Sequence, residues 1–280
     1  MSRRIRLPLI QNITPNGRAT VRIPLGVTYN RFYILCRGNI LANLLTNIVL
    51  KINGSERQRW KTHAQLLARN LYTGGVADTQ RITLDFINRH AKSYEAQTMG
   101  ALAATAEAGV QDVVLEFDIG AYTISTASTI EIFADTDPPS ANRLIVRNRY
   151  FQKVLAGAVE EQIIIPYGIN GEQLQRIFVF GPTANINYVR IRREGSDEFE
   201  DVKVGDNEFM QREYGRAPQA GMMVVDFIEN NIMSDMLNTA VVIGGDGKAR
   251  PVQNLDIRLN TNAAGTFDVY TESITSNDRA

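Results

Sequence analysis

Most of the sequence consists of short segments in which apolar and polar residues alternate, and Gly, Asn, Asp or Pro separate these segments. A period of two places alternate side chains on opposite faces of a β-sheet, so the pattern predicts strands with one buried face. Many short strands are typical of an all-β sandwich. The predicted strands are 19–25, 31–37, 47–52, 56–61, 79–87, 94–98, 112–119 and 129–134 in the first half, and 161–166, 176–181, 187–193, 198–203, 222–228, 234–239, 254–260 and 266–272 in the second.

Two segments interrupt this pattern, residues 62–72 and 205–214, where residues recur at helical spacing. Thr62 and Asp206 are the predicted N-caps, because an oxygen-bearing side chain at that position accepts a hydrogen bond from an otherwise unpaired backbone N–H. Each half is therefore predicted to carry one short helix after its fourth strand.

The residue order of the first half recurs in the second half. Leu84-Asp85-Phe86-Ile87 recurs as Val225-Asp226-Phe227-Ile228, at an offset of 141 residues. The stretch from Leu50 to Gly54 recurs at the same offset, from Ile191 to Gly195. An ordered series of such matches indicates a duplicated domain, and eight strands per copy is the number in a jelly roll.

The sequence therefore predicts an all-β fold of two tandem eight-stranded jelly rolls, each with one short helix in a loop. A chain of 280 residues has room for two domains, each with its own core. Residues 135–142 are rich in turn-forming residues and contain two consecutive prolines, which is typical of a linker. The predicted domains are residues 1–141, including a basic N-terminal arm, and residues 142–280.

The formal net charge is zero and 44% of the residues are hydrophobic, as in an ordinary globular chain. The sequence shows neither a membrane-spanning apolar run nor a signal-peptide pattern, so we expect the protein to be made in the cytoplasm. Residues 1–145 contain 16 Lys and Arg against 11 Asp and Glu, whereas residues 146–280 contain 14 against 19. This asymmetry can steer unlike surfaces of neighbouring molecules together, or it can be solvated without consequence.

The sequence offers no set of residues suited to catalysis. The two histidines, His63 and His90, lie far apart and lack metal-ligand spacing. The single cysteine, Cys36, lies in an apolar run, so we expect a buried hydrophobic side chain rather than a nucleophile. A G-x-S-x-G nucleophile motif is missing as well. The sequence therefore predicts that the protein is not an enzyme.

Four acidic residues are candidate ligands for a hard cation such as calcium, the one cofactor we consider. Asp135 and Asp137 lie in the predicted linker, and Glu194 and Asp197 lie in a predicted hairpin. Carboxylate oxygens are the ligands that calcium prefers. The alternative, favoured for the hairpin, is local ion pairing with the arginines of the same segment.

The chain begins with a basic segment in which Arg3, Arg4 and Arg6 are interleaved with apolar residues. Such a segment can dock on an anionic lipid surface or on nucleic acid. A short arm that pairs with a neighbouring subunit is an equally good interpretation.

Tandem jelly rolls in a chain of this length, without a catalytic set and with a basic arm, resemble the double jelly-roll major capsid proteins of tailless icosahedral viruses. Four segments are similar to the corticovirus-type major coat protein of membrane-containing phages: residues 23–29, 209–216, 224–229 and 255–259. The resemblance extends over nearly the whole chain.

The resemblance implies a structural major capsid protein of the virion, made in the host cytoplasm. It implies a homotrimer that forms a pseudo-hexagonal capsomer of an icosahedral shell over an internal membrane. Its partners would be neighbouring capsomers, a vertex (penton) protein and the inner viral membrane or its proteins, with no sequence-specific nucleic acid. Arg3, Arg4 and Arg6 would face the membrane or the interior, and we hypothesise that Trp60 and Tyr72 lie at subunit contacts.

Two other functions use the same fold. A jelly-roll carbohydrate-binding or host-attachment protein is the alternative, but such proteins use clustered exposed aromatic residues and this chain has a single Trp. A two-domain metalloenzyme would need more histidines than two.

Overall fold

The structure, a computed structural model, describes residues 3–244 and 247–277. Many of its strands alternate between buried and partly exposed side chains, as the sequence pattern predicts, whereas a few, such as residues 222–226, are buried throughout. In the first half they are β1 (Arg3–Arg6), β2 (Arg18–Arg22), β3 (Val27–Cys36), β4 (Leu45–Ile52), β5 (Ser55–Thr62), β6 (Arg81–Asp85), β7 (Leu102–Ala104), β8 (Val113–Ile119) and β9 (Ile130–Asp137). They continue with β10 (Leu144–Leu155), β11 (Val159–Gln162), β12 (Gln173–Phe180), β13 (Ile186–Arg193), β14 (Ser196–Val202), β15 (Met222–Asp226), β16 (Leu237–Asn238), β17 (Val241–Ile243), β18 (Ala249–Pro251), β19 (Leu255–Thr261) and β20 (Gly265–Ser276).

The described helices are α1 (His63–Tyr72), α2 (Tyr94–Thr98) and α3 (Val204–Glu213), with 3-10 turns at Ala42–Leu44, Gly168–Asn170, Thr183–Asn185 and Met233–Asp235. The N-cap prediction at Thr62 is confirmed, since its side chain accepts a hydrogen bond from the Gln65 N–H at 3.3 Å. The prediction at Asp206 is wrong. Lys203 occupies the N-cap of α3 without a side-chain hydrogen bond, and Asp206 lies in the first turn, where its charge still favours the helix dipole.

The first domain is a sandwich of two sheets. One sheet has the strand order β1-β9-β3-β6, with the short strand β7 also pairing with β3, and the other has the order β2-β8-β4-β5. All of the pairs with a defined register are antiparallel. Strands distant in sequence are neighbours in both sheets, which is the jelly-roll arrangement.

The second domain repeats this topology strand for strand. Its sheets have the orders β10-β20-β12-β15, with β16 pairing with β12, and β11-β19-β13-β14, and β17 and β18 form a separate hairpin. The prediction of two tandem jelly rolls is therefore confirmed, with β7 and β16 as a short ninth strand in each.

One apolar cluster fills the second domain and takes side chains from both of its sheets. Phe267 and Val269 of β20 belong to it together with Val189 and Ile191 of β13, and all four are fully buried. Burying a side chain of this size contributes about 1.5–3 kcal/mol. Apolar side chains buried between the two sheets thus hold this domain together.

The offset of 141 residues seen in the sequence applies to whole elements. It relates α1 to α3, β4 to β13, and β6 to β15. It also relates the hairpin turns, because Asn53 and Gly54 both have positive φ angles, as do Glu194 and Gly195. Two consecutive positive φ angles define the type I′ turn that matches the twist of a hairpin.

Four further elements differ from the sequence-based prediction. Residues 94–98, predicted as a strand, form α2, because the Ser93 Oγ accepts a hydrogen bond from the Ala96 N–H and caps a helix. The N-terminal basic segment is β1, an edge strand of its own domain, rather than an arm, and β10 is likewise an unpredicted first strand. Segment 234–239 contains a 3-10 turn followed by the two-residue strand β16.

The chain divides into two compact units, Met1–Arg149 together with the residues from Thr275 onward, and Tyr150–Ile274. The division after Arg149 lies eight residues beyond the predicted boundary at 141 and falls within β10. These units are called the first and second domain below. Within the described ranges, no helix has the length and apolarity needed to cross a membrane.

Candidate functional site

The N-terminal arginines lie on β1, which pairs antiparallel with β9. Arg4 Nε lies 2.9 Å from Asp135 Oδ1, and the Arg6 guanidinium lies 2.6 Å from Glu131 Oε1. Both arginine side chains are more than half exposed, so each pair contributes less than about 1 kcal/mol. Arg3 is exposed, and its side chain makes no hydrogen bond or ion pair with any residue the structure describes. The pairing partner of this segment is thus a strand of its own sheet.

Asp135, a candidate calcium ligand, is the centre of a hydrogen-bond network. Besides the bond from Arg4, its Oδ2 accepts a hydrogen bond from the Tyr33 hydroxyl at 2.6 Å, and Arg31 donates to that hydroxyl at 3.1 Å. Burial alone would raise the pKa of the Asp135 carboxyl, but the bonds from Arg4 and Tyr33 outweigh it and hold the pKa below its usual value. Asp135 is therefore ionised and surrounded by donors.

The hairpin candidates also face donors. Glu194 lies in the β13–β14 turn and accepts backbone hydrogen bonds from Asn254 and Gln253, which lower the pKa of its carboxyl. Asp197 pairs with Arg192 across the same hairpin. The fourth candidate, Asp137, lies at the end of β9 and accepts a hydrogen bond from the Asn30 amide at 2.7 Å.

The structure does not gather these four carboxylates into one site. Asp135 and Asp137 belong to the first domain, and Glu194 and Asp197 belong to the second. Across residues 3–244 and 247–277, no group of three or more His, Cys, Asp or Glu residues is arranged to hold a metal ion. Calcium binding at these residues stays a prediction.

A feature that the sequence analysis missed is an Arg–Asp pair with a buried aspartate that recurs in both domains. Arg31 Nε lies 2.7 Å from Asp85 Oδ1, and Arg176 Nε lies 3.1 Å from Asp226 Oδ1. Each pair bridges directly opposed residues of neighbouring strands, β3 with β6 and β12 with β15. Both aspartates belong to the repeated Leu/Val-Asp-Phe-Ile motif, so a charge inside a repeated apolar run was the available signal.

Further charges complete each pair. In the second domain, Arg216 Nε lies 3.0 Å from Asp226 Oδ2, and Glu272 Oε1 lies 2.7 Å from the Arg176 guanidinium, with all four side chains at most 3% exposed. Removing one partner of such a buried pair leaves an uncompensated charge and destabilises strongly. These clusters therefore fix strand register inside each jelly roll.

Trp60 and Tyr72, the hypothesised subunit contacts, lie on β5 and α1 and are buried. Their side chains are 2% and 0% exposed. Side chains this deeply buried offer almost no surface to a neighbouring subunit.

The residues capable of nucleophilic or acid–base chemistry lie in separate buried or surface positions. Cys36 is buried, and burial raises the pKa of its thiol to about 12, so the reactive thiolate does not form. His63 is buried, which lowers the pKa of its imidazole, whereas His90 is exposed. Neither histidine lies beside the cysteine in an arrangement that activates a nucleophile.

The second domain exposes an apolar surface on α3. Phe209 is 63% exposed, Met210 is 41% exposed, and Tyr214 at the end of the helix is 52% exposed. At an offset of 141, the first two positions correspond to Ala68 and Arg69 on α1. Large exposed apolar side chains are common on surfaces that contact another molecule.

Known viral coat proteins match both halves of the chain. The family described as viral coat protein P2 N-terminal domain matches residues 4–137, and the family described as viral coat protein P2 C-terminal domain matches residues 145–277. No curated protein sequence matches the chain.

Solved structures share the fold at low sequence identity. The major capsid protein P2 from bacteriophage PM2 has 18% identity and a TM-score of 0.82, with 100% of both chains covered. The major capsid protein of Sulfolobus turreted icosahedral virus has 14% identity and a TM-score of 0.63, covering 99% of this chain and 98% of that one. The PBCV-1 virus capsid chain has 10% identity and a TM-score of 0.60, covering 98% and 93%.

The two family matches account for nearly the whole chain in the order in which the two jelly rolls occur. They favour the coat-protein interpretation over the carbohydrate-binding alternative and agree with the scattered placement of the reactive side chains. The chain belongs to the P2 viral coat protein family and is a structural major capsid protein of the virion, not an enzyme.

Proposed function

We propose that this coat protein forms a homotrimer that acts as a pseudo-hexagonal capsomer of an icosahedral shell over an internal membrane. The observation that carries the proposal is the duplication of one jelly-roll topology within a single chain. Three copies of a two-domain chain around a three-fold axis supply six similar blocks. Six blocks approximate a hexagon, and hexagons tile a surface. Because the two domains of each chain differ in sequence, each can contact a different neighbour.

Charge supports contacts between unlike domains of adjacent copies. The first half of the chain carries a surplus of five positive charges, since it has 16 basic and 11 acidic residues, and the second half carries a surplus of five negative charges, with 14 and 19. A ring in which the second domain of one copy meets the first domain of the next places opposite charges side by side. The exposed apolar face of α3 provides a surface for such a contact.

Light scattering combined with negative-stain imaging of the purified protein tests this proposal. We expect three times the chain mass of 31.2 kDa and a six-sided outline. The variant Phe209→Asp places a charge on the apolar face of α3 and should weaken association, whereas Val76→Asp, at a residue that is 86% exposed in the first domain, should not. A monomer or dimer at all protein concentrations would contradict the trimer.

The remaining partners follow from the same proposal: neighbouring capsomers, a vertex (penton) protein, and the inner membrane. Arg3, with no partner among the described residues, is the arginine of β1 most available to lipid headgroups. One arginine contributes only about 1 kcal/mol near an anionic membrane, so binding depends on many copies. Sedimentation with anionic vesicles should exceed that with neutral vesicles and should fall for Arg3→Gln; equal sedimentation would contradict a membrane role.

A further inference from the structure

A cleft of about 540 Å³ opens on the first domain between β3, helix α2, the end of β9 and the segment that leads into β10. Its size lies in the range of ligand-binding clefts. Polar atoms are contributed by Thr28, Asn30, Glu95 and Asp137. Its apolar walls come from Tyr94, Met99, Pro138 and Leu144.

Two polar atoms of the cleft are buried without a hydrogen-bond partner. The Asn30 side chain, 6% exposed, donates its amide to Asp137 Oδ2, and its Oδ1 accepts no hydrogen bond. The hydroxyl of Thr28, a residue that is 5% exposed, also lacks a partner. A buried polar group that is left unpaired is costly, so a further donor that reached these atoms would stabilise the wall of the cleft.

The cleft also carries negative charge that the described part of the chain leaves uncompensated. Neither Asp137 nor Glu95 forms an ion pair with any described residue. Asp135, two residues before Asp137 on the same strand, is by contrast bound by Arg4. The ligand that would satisfy this cleft is therefore cationic.

The second domain shows that the fold does not require a carboxylate at this position. Strands β3 and β9 pair Thr28 with Asp137, and the same two strands pair Arg31 with Asp135. In the second domain, β12 and β20 pair Arg176 with Glu272 in place of Arg31 with Asp135. At the position that corresponds to Thr28 and Asp137, they pair Gln173 with Ile274. An isoleucine thus occupies the place of Asp137 in the duplicate domain.

We propose that this cleft binds a guanidinium group, presented by an arginine side chain of a second copy of this chain. A guanidinium offers five N–H donors to the Asp137 carboxylate, and its aliphatic stem packs against Leu144. The Tyr94 ring, 65% exposed, can stack on the cationic plane. A hard metal ion fits less well, because it prefers several carboxylate ligands and the described residues contain no group of three or more His, Cys, Asp or Glu side chains arranged to hold one.

The choice of a second copy as the source of the arginine rests on the proposed self-assembly. The binding chemistry does not, and it can be tested separately. The probes are N-acetyl-arginine methylamide and its neutral isostere N-acetyl-citrulline methylamide, observed by saturation-transfer NMR with the full-length protein. The variants are Asp137→Asn and Tyr94→Ala, with Asp112→Asn as a control outside the cleft.

For a cleft open to solvent, we expect saturation transfer to the arginine probe but not to the citrulline probe. The signal should fall at least threefold in Asp137→Asn and Tyr94→Ala and stay unchanged in Asp112→Asn. For a cleft already filled by a neighbouring copy, no probe signal is expected, but Asp137→Asn should raise the concentration at which the oligomer dissociates at least tenfold relative to Asp112→Asn.

The proposal is overturned if neither probe binding nor oligomer dissociation depends on Asp137, if both probes bind equally, or if micromolar calcium chloride abolishes the probe signal. Circular dichroism melting of Asp137→Asn and Tyr94→Ala establishes that the variants are folded. Arginine binding by a protein that light scattering shows to be a monomer would contradict the trimer and leave the cleft chemistry standing.

Discussion

Asp226→Asn is the substitution for which the structure predicts the largest effect. The Asp226 side chain is 0% exposed and lies 3.1 Å from Arg176 and 3.0 Å from Arg216, both 3% exposed. Asparagine keeps the shape of the side chain and removes its charge. Two buried guanidinium groups then lose their shared counter-ion.

Breaking a buried ion pair by removing one partner costs about 3–5 kcal/mol. Both arginines keep contacts after the change, among them the pair of Arg176 with Glu272 at 2.7 Å and the hydrogen bond from Arg216 to the Ile228 carbonyl. We therefore expect a loss near the lower end, about 3 kcal/mol. At about 4 °C per kcal/mol for a domain of this size, the melting temperature of the second domain should fall by about 12 °C.

Differential scanning calorimetry of the full-length protein measures this change. The matched control is Asp256→Asn, because Asp256 pairs with Arg258 at 2.7 Å in a position where the arginine is 42% exposed. An exposed pair of this kind contributes less than about 1 kcal/mol. If Asp226→Asn melted within 2 °C of Asp256→Asn, the buried cluster would not stabilise the domain, and the reasoning would be refuted.

Three further predictions concern local structure in the two domains. Asp135→Asn should reduce the loss of folding stability in acid. The pKa of Asp135 is lower in the folded protein, so the stability that its carboxylate contributes is present above pH 3.8 and is lost as the pH falls below that value. Acid unfolding curves identical to those of the wild type would contradict this. Thr62→Ala should cost about 1 kcal/mol in urea unfolding through loss of the α1 N-cap, whereas Lys203→Ala, without a side-chain cap bond, should cost almost nothing, and equal losses would refute the capping argument. Gly54→Ala should destabilise by about 1–2 kcal/mol because its φ is +77°. Gly205→Ala, inside α3 with open space around its Cα, should stabilise by about 0.5–1 kcal/mol, so the same sign for both would count against the conformational argument.

The sequence predicted those parts of the fold that depend on local pattern. Alternation marked strands such as β8, in which every second residue is buried, and the offset of 141 residues identified the duplication that relates α1 to α3. The strand β1 was missed because arginines occupy three of its four positions, which is permissible only at an edge strand. Segment 94–98 was misread because the cap supplied by Ser93 outweighed its strand-like composition.

The candidate sites were less predictable, because they depend on partners distant in the chain. Asp85 and Arg31 lie 54 positions apart in sequence, and only the pairing of β6 with β3 brings them together. The same holds for the cleft, in which Asn30 meets Asp137 across β3 and β9. The sequence identified Asp137 as a candidate ligand, but the absence of a described cationic partner became visible only from the sheet register.

A three-dimensional reconstruction of single capsomers by electron cryo-microscopy tests the central claim most directly. The account predicts a three-fold symmetric particle of three chains in which six jelly-roll densities form a ring with a nearly hexagonal outline. A particle without three-fold symmetry, or one whose symmetry axis relates a different number of chains, would contradict the capsomer that we propose.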